Sequence, residues 1–164
     1  MPSLLGVFFG NYQTGDIMKI AIASDHAGFA LKIQIKEKLI KEGYEVFDFG
    51  TDSEKRVDYP EFGLAGAKAV IAKKADCAIL FCGTGLGMAI MANKVKGIRA
   101  VPCNDLFSVK LTRSHNNSNV LCLGGRILGP DLAWEIVLTF LNTPFAGGRH
   151  LRRINEIKRL EKTC

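Results

Sequence analysis

Five short apolar runs punctuate the chain, and each leads through a polar or glycine-bearing turn into a stretch with helical spacing. Lys19-Ile20-Ala21-Ile22-Ala23-Ser24 reads as a buried strand, and Asp25-His26-Ala27-Gly28 as the loop after it. Leu31, Ile35 and Leu39 recur on one face of a helix predicted over 29–42, with Gly43 as its stop. A second strand is predicted over 45–49, followed by a polar loop over 50–58. Pro60 suits the first turn of a helix reaching about 73. The third strand, 77–81, runs into Cys82-Gly83-Thr84-Gly85-Leu86-Gly87 and then a helical run over 88–94. A short fourth strand is expected over 98–101, with Asn104 capping a helix that runs to about 114. A fifth strand over 119–124 precedes a helix from Pro130 to about 141. Gly147-Gly148 closes the core. Beyond it, Leu151, Ile154, Ile157 and Leu160 mark a C-terminal amphipathic helix beginning at Arg149.

Strands that alternate with helices through short loops imply an α/β fold with a parallel sheet covered on both faces. No second domain and no internal repeat is visible. Residues 1–17 stand apart: Leu4-Leu5-Gly6-Val7-Phe8-Phe9 lacks the basic flank and clear cleavage site of a signal peptide. They are expected to be an N-terminal extension, or a start placed too early, outside a single core over 18–164.

Composition narrows the class. At 164 residues the chain suits one domain with a sizeable core, and 48% hydrophobic residues is ordinary for a globular protein. No apolar run approaches the ~20 residues of a membrane span. The five cysteines are odd in number and form no Cys-x-x-Cys pair, which argues against a disulfide scaffold or structural zinc and for a reducing, cytoplasmic setting. A formal charge of +6 suggests an anionic partner without distinguishing phosphorylated metabolite, nucleic acid or acidic surface. A single tryptophan, acidic residues within the basic tail and no nucleic-acid motif disfavour the second of these.

Candidate chemistry gathers where the strands end. In open parallel sheets, ligands bind outside the carboxyl ends of the strands. Asp25 and His26 follow the first strand, Cys82 to Gly87 the third and Arg126 the fifth. Alternating glycines let backbone N–H groups face a negative charge, and a helix start behind them adds to the attraction. A thiol at such a place gains thiolate character, and a base beside an anion cradle can move a proton off carbon while the cradle holds the resulting oxyanion. The pattern is neither a P-loop nor a dinucleotide fingerprint. Taken alone, it also fits a turn that binds nothing, around a buried structural cysteine. Asp25-His26 fits a helix-start turn or a pair that meets substrate hydroxyls and an anionic group. His115 fits a histidine facing a helix dipole or a general acid–base. Arg149 and Arg153 share a helix face and suit either solvent or a phosphate.

Ser24-Asp25-His26-Ala27-Gly28-Phe29, Asp58-Tyr59-Pro60, Cys82-Gly83-Thr84-Gly85-Leu86-Gly87, Gly97-Ile98-Arg99-Ala100, Ser114-His115-Asn116 and Gly147-Gly148-Arg149-His150 occur in this order. With that set, the chain from Met18 onward closely resembles the type B ribose-5-phosphate isomerases, a family that includes galactose-6-phosphate isomerase. The resemblance implies a three-layer, Rossmann-like α/β/α sandwich with five parallel strands. It also implies a homodimer or dimer of dimers with active sites shared between subunits, and no metal or organic cofactor. The implied substrate is a phosphorylated sugar, with neither nucleic acid nor membrane as partner. The implied reaction interconverts ribose 5-phosphate and ribulose 5-phosphate; alternatives are a 6-phosphohexose substrate or a non-catalytic sugar-phosphate-binding module. Cys82 matches the proton-shuttling base, Gly83, Thr84, Gly85, Leu86 and Gly87 the loop around the enediolate oxygens, and His115 the group that assists ring opening. Asn116, Asp25, His26 and Tyr59 match substrate contacts. Arg126, Arg149 and Arg153 match phosphate-holding positions, some reaching across from a partner subunit.

Overall fold

The computed structural model describes residues 16–164, so the expectation for most of the N-terminal extension lies outside the described residues. Eleven elements follow in order: β1 (Lys19–Ser24), α1 (Phe29–Lys41), β2 (Glu45–Asp48), α2 (Tyr59–Ile71), β3 (Cys77–Cys82), α3 (Leu86–Ala92), β4 (Ala100–Pro102), α4 (Leu106–Asn116), β5 (Val120–Gly124), α5 (Pro130–Asn142) and α6 (Gly148–Leu160). The strands form one parallel sheet in the order β2-β1-β3-β5-β4.

Alternation along each strand divides the interior into two unlike cores. Ile20, Ile22, Ile79, Phe81, Leu121 and Leu123 face one side, where α1, α4 and α5 bring Leu31, Ile35, Val109, Ile136 and Phe140. Ala21, Ala23, Ala78, Leu80, Cys82 and Cys122 face the other, against α2 and α3. Small residues on that second face let α2 approach closely. A Cβ added to Gly66 of α2 would stand 2.4 Å from Leu80 Cδ2. Cys82 is therefore the last inward position of β3 on the α3 side.

The strand order decides where a ligand can sit. β1 lies beside β3, yet the helices that follow them depart to opposite faces of the sheet. That divergence opens a crevice at their shared carboxyl edge, the switch point of a doubly wound sheet. The loop after β2 closes one side of it. Lys32, buried on α1, anchors that loop: its Nζ lies 2.9 Å from Asp48 Oδ1, donates to Thr51 O at 2.6 Å, and sits 5.2 Å above the Phe29 ring. Burial pushes the Asp48 carboxyl up, but hydrogen bonds from Lys32, the Gly50 amide and Lys36 outweigh it and hold the group below the usual carboxylate range.

Three boundaries depart from expectation for identifiable reasons. Asp105, not Asn104, caps α4. Its Oδ1 accepts the Ser108 amide at 2.7 Å, three residues on, a reach that starts one residue too early from position 104. β4 begins at Ala100 rather than 98 because Gly97 turns at φ +84° and the Arg99 amide bonds to the Asn119 side chain instead of a strand. α3 starts two residues early, directly on the glycine loop.

Candidate active site

β3 ends on Cys82, and the chain turns into α3 through Gly83, Thr84 and Gly85, the last at φ +79°. This tight turn folds the Gly85 amide back so that it donates to Cys82 Sγ at 3.1 Å. The Leu86 amide donates to Thr84 Oγ1 at 3.3 Å. The turn after β5 braces the loop from beside it, since the Gly125 amide donates to Cys82 O at 2.8 Å and the Arg126 amide to Gly83 O at 3.0 Å. Arg126 consequently lies over the loop: a Cβ built on Gly83 would be 3.3 Å from its Nη1.

Across the crevice, the chain leaving β1 makes an equally tight turn. Asp25 Oδ1 accepts the amides of Ala27 and Gly28 at 2.9 and 3.0 Å. Gly28 then passes so close to β3 that an added Cβ would meet the carbonyl carbon of Phe81 at 2.5 Å. His26 is steadied by the backbone of Val57, which lies 3.1 Å (O) and 3.3 Å (N) from its Nδ1. Two residues later Tyr59 opens α2, and its ring rests on Gly87 of α3, where an added Cβ would come within 2.8 Å of Cζ.

Together these turns enclose a cleft of about 210 Å³, lined by Asp25, His26, Tyr59, Cys82, Thr84 and Arg126, with Ala27, Gly83 and Gly87 between them. Cys82 is only 5% exposed, yet it forms part of the cleft wall. Two members of the expected loop do not line the cleft: Gly85 spends its amide on the sulfur, and the Leu86 side chain is 54% exposed.

His115, Asn116, Arg149 and Arg153 are not among the residues of this cleft. They belong to a second cluster at the other end of the sheet. α4 runs back from the carboxyl edge, so its last turn lies beside the amino end of β4, where Arg99 Nε donates to Asn116 O at 3.0 Å. The α5–α6 connection is tied to that turn by Ala146 N donating to Ser114 O at 2.9 Å. Here the rings of His115 and His150 stack with centroids 4.1 Å apart and planes within 9°. His150 is held below its ordinary pKa by desolvation first, and then by the neighbouring charges of His115, Arg149 and Arg153. In the sequence His150 stands only as the end of Gly147-Gly148-Arg149-His150, and its stacking partner lies 35 positions away, so only its place beside Arg149 hints at it.

A profile described as Ribose/Galactose Isomerase matches residues 20–157. The chain belongs to that family. Ribose-5-phosphate isomerase B of Escherichia coli is 46% identical over 144 residues, covering 88% of this chain and 97% of the relative. A structure of ribose-5-phosphate isomerase B from Clostridium thermocellum superposes with a TM-score of 0.88 at 51% identity, covering 89% of this chain and 99% of the other. A third, from Mycoplasma genitalium, carries bound ribulose-5-phosphate; it is 42% identical with a TM-score of 0.85, covering 90% and 98%. The expected Rossmann-like α/β architecture is therefore shared with the ribose/galactose isomerase family along nearly the full length of its members. No helix among the described residues is long and apolar enough to cross a membrane.

Proposed function

We propose that this protein interconverts D-ribose 5-phosphate and D-ribulose 5-phosphate through a cis-enediolate. The observation that carries the reading is the Cys82 sulfur in the wall of the cleft at the switch point, facing the side of Asp25, His26 and Arg126 and accepting a hydrogen bond from the Gly85 amide. That amide and the backbone brace after β5 fix the sulfur at the cleft wall, where it can meet a bound substrate carbon. The thiolate takes the proton from C2 of the open-chain aldose and returns it at C1, while the hydroxyl proton of O2 passes to O1. Negative charge then grows on the substrate oxygens, and amides of the Gly83–Gly87 loop other than those of Gly85 and Leu86, which bond Cys82 Sγ and Thr84 Oγ1, act on it more strongly in the transition state than before it. Asp25 and Tyr59 meet the sugar, and Arg126 with His26 faces its phosphate.

His115, Asn116, Arg149 and Arg153 enter the same site from a second subunit. Within one chain they are separated from Cys82 by the length of β5, roughly 15 Å for five residues. The cleft of one chain, about 210 Å³, is also smaller than the ~300 Å³ from which small-molecule pockets usually begin. Leu86 and Ile90 on α3, with Leu151, Ile157 and Leu160 on α6, are exposed apolar side chains suited to a subunit interface. In the assembled site His115 moves the proton that opens the furanose ring, Asn116 contacts the sugar, and Arg149 and Arg153 complete the phosphate grip. The free thiols suit a reducing, cytoplasmic compartment.

A coupled assay comparing kcat/KM for ribose 5-phosphate, allose 6-phosphate and galactose 6-phosphate tests the substrate, and ribose 5-phosphate is expected to lead. Cys82→Ala should lower kcat by about 10²–10⁴ while sparing substrate binding. Near-normal turnover in that variant removes Cys82 from the chemistry.

A further inference from the structure

The last turn of α4 is held far more heavily than its place before a strand requires. The final carbonyls of any helix lack intrahelical partners. α1, α2 and α3 satisfy theirs with backbone amides of the residues that follow. α4 does this too, and then adds two arginines. From inside, Arg113 Nη1 donates to Ser118 O at 2.6 Å and to Asn117 Oδ1 at 2.9 Å. From the sheet side, Arg99 Nε donates to Asn116 O and Asn117 O, both at 3.0 Å, and its Nη2 to Asn117 O at 2.8 Å. Asn117 itself adopts the left-handed conformation at φ +46°.

Arg99 is in turn fixed along its own backbone. Its amide donates to Asn119 Oδ1 at 2.8 Å, and Asn119 Nδ2 donates to Gly97 O at 2.9 Å. The Gly97 amide donates to Glu161 Oε1 at 2.9 Å, which joins the end of α6 to the same network. A guanidinium has rigid, planar donors, so it can span two successive carbonyls and set the direction of the turn, whereas an ammonium acts as a point charge. The residues it sets are Asn116 directly and His115 one step before.

We propose that Arg99 is a positioning residue for ring opening, clamping the α4 terminus so that His115 and Asn116 meet the sugar in a fixed orientation. This rests on His115 acting as the ring-opening group. The reaction offers a readout that separates orientation from folding. Ribose 5-phosphate must open before C2 can be deprotonated. Ribulose 5-phosphate has its only ring-closing hydroxyl esterified, so exchange of its C1 hydrogen with solvent needs the enediolate chemistry but no ring step.

The test measures, for wild type, Arg99→Ala, Arg99→Lys and His115→Ala, the kcat from ribose 5-phosphate and the rate of deuterium entry at C1 of ribulose 5-phosphate in D2O. Their ratio does not depend on the fraction of protein folded. Arg99→Ala should lower it about tenfold or more, as expected when a reacting group is displaced by a fraction of an ångström. Arg99→Lys should fall between, and it alone decides the matter if the alanine variant does not fold. An unchanged ratio in both Arg99 variants, with a lowered one in His115→Ala, overturns the clamp alone. An unchanged ratio in His115→Ala overturns the reading of His115 and the clamp with it.

Discussion

Two crippled variants of this protein should repair one another when mixed. The perturbation is to combine Cys82→Ala with His115→Ala in equal amounts. In one chain these residues lie at opposite edges of the sheet, with β5 spanning the roughly 15 Å between them. If two-fold related subunits build each site, every site takes Cys82 from one chain and His115 from the other. A mixed dimer then holds one site with both lesions and one with neither. Random reassortment makes about half of the dimers mixed, so about one quarter of the sites are intact. Cys82→Ala alone is expected to retain about 10⁻² to 10⁻⁴ of wild-type turnover. A recovered quarter therefore stands well above the Cys82→Ala parent. The assay is coexpression of the two variants with different tags, purification of the doubly tagged species, and turnover of ribose 5-phosphate per site. In that purified species the expectation rises to about one half. Activity no greater than the mean of the two parents refutes the composite site, because lesions within a single-chain site cannot complement.

Three further perturbations probe separate parts of the reasoning. Arg153→Ala should mainly raise KM, about tenfold or more for one lost charge-assisted hydrogen bond to phosphate, and an effect confined to kcat contradicts a purely gripping role. Gly28→Ala should lower stability by about 1–3 kcal/mol or more in thermal denaturation, because its Cβ meets the Phe81 backbone at 2.5 Å. Gly129→Ala, with nothing within 4 Å and no positive φ, should leave stability nearly unchanged, and equal melting temperatures for the two variants defeat the steric account. Since His150 disfavours its proton in the folded chain, its contribution to stability is lost as pH falls from the ordinary histidine value near 6.5 toward its depressed one. A bound phosphate relieves the repulsion from Arg149 and Arg153, so binding at neutral pH should draw a proton onto His150. Calorimetry in buffers of different ionisation enthalpy should show that uptake in wild type and its loss in His150→Asn; identical proton balances count against the coupling.

Local chemistry was legible residue by residue. The uninterrupted apolar runs of β1, β3 and β5 announced strands buried on both faces, and the turns after them announced where polar groups gather. Cys82, Asp25, His26, Tyr59, Thr84 and Arg126 do converge on one cleft. What was not legible involves side chains whose partners are far along the chain. Lys32 follows Leu31 and looks like a solvated position, yet it is 1% exposed because Asp48 and the Thr51 carbonyl neutralise and bond it. The expected apolar stripe of α6 is real in spacing, but Ile154 is its only buried member, so a periodic pattern located a face without saying what covers it. The Gly85 amide was expected among the oxyanion donors and instead holds the sulfur, a choice made by a left-handed turn whose direction composition does not specify.

The amino-acid order by itself determined the alternation of strands and helices, the parallel α/β class and the loops that carry chemistry. Each of these depends on periodicity and turn residues within a dozen positions. Only the tertiary structure decided that β1 and β3 are neighbours whose helices diverge, which brings Asp25 to Cys82, and that the α4 terminus carries His115 to the opposite edge. Lateral strand order is set by how crossover helices pack against unlike faces of the sheet, a non-local balance of large and small side chains that no single stretch of the chain contains.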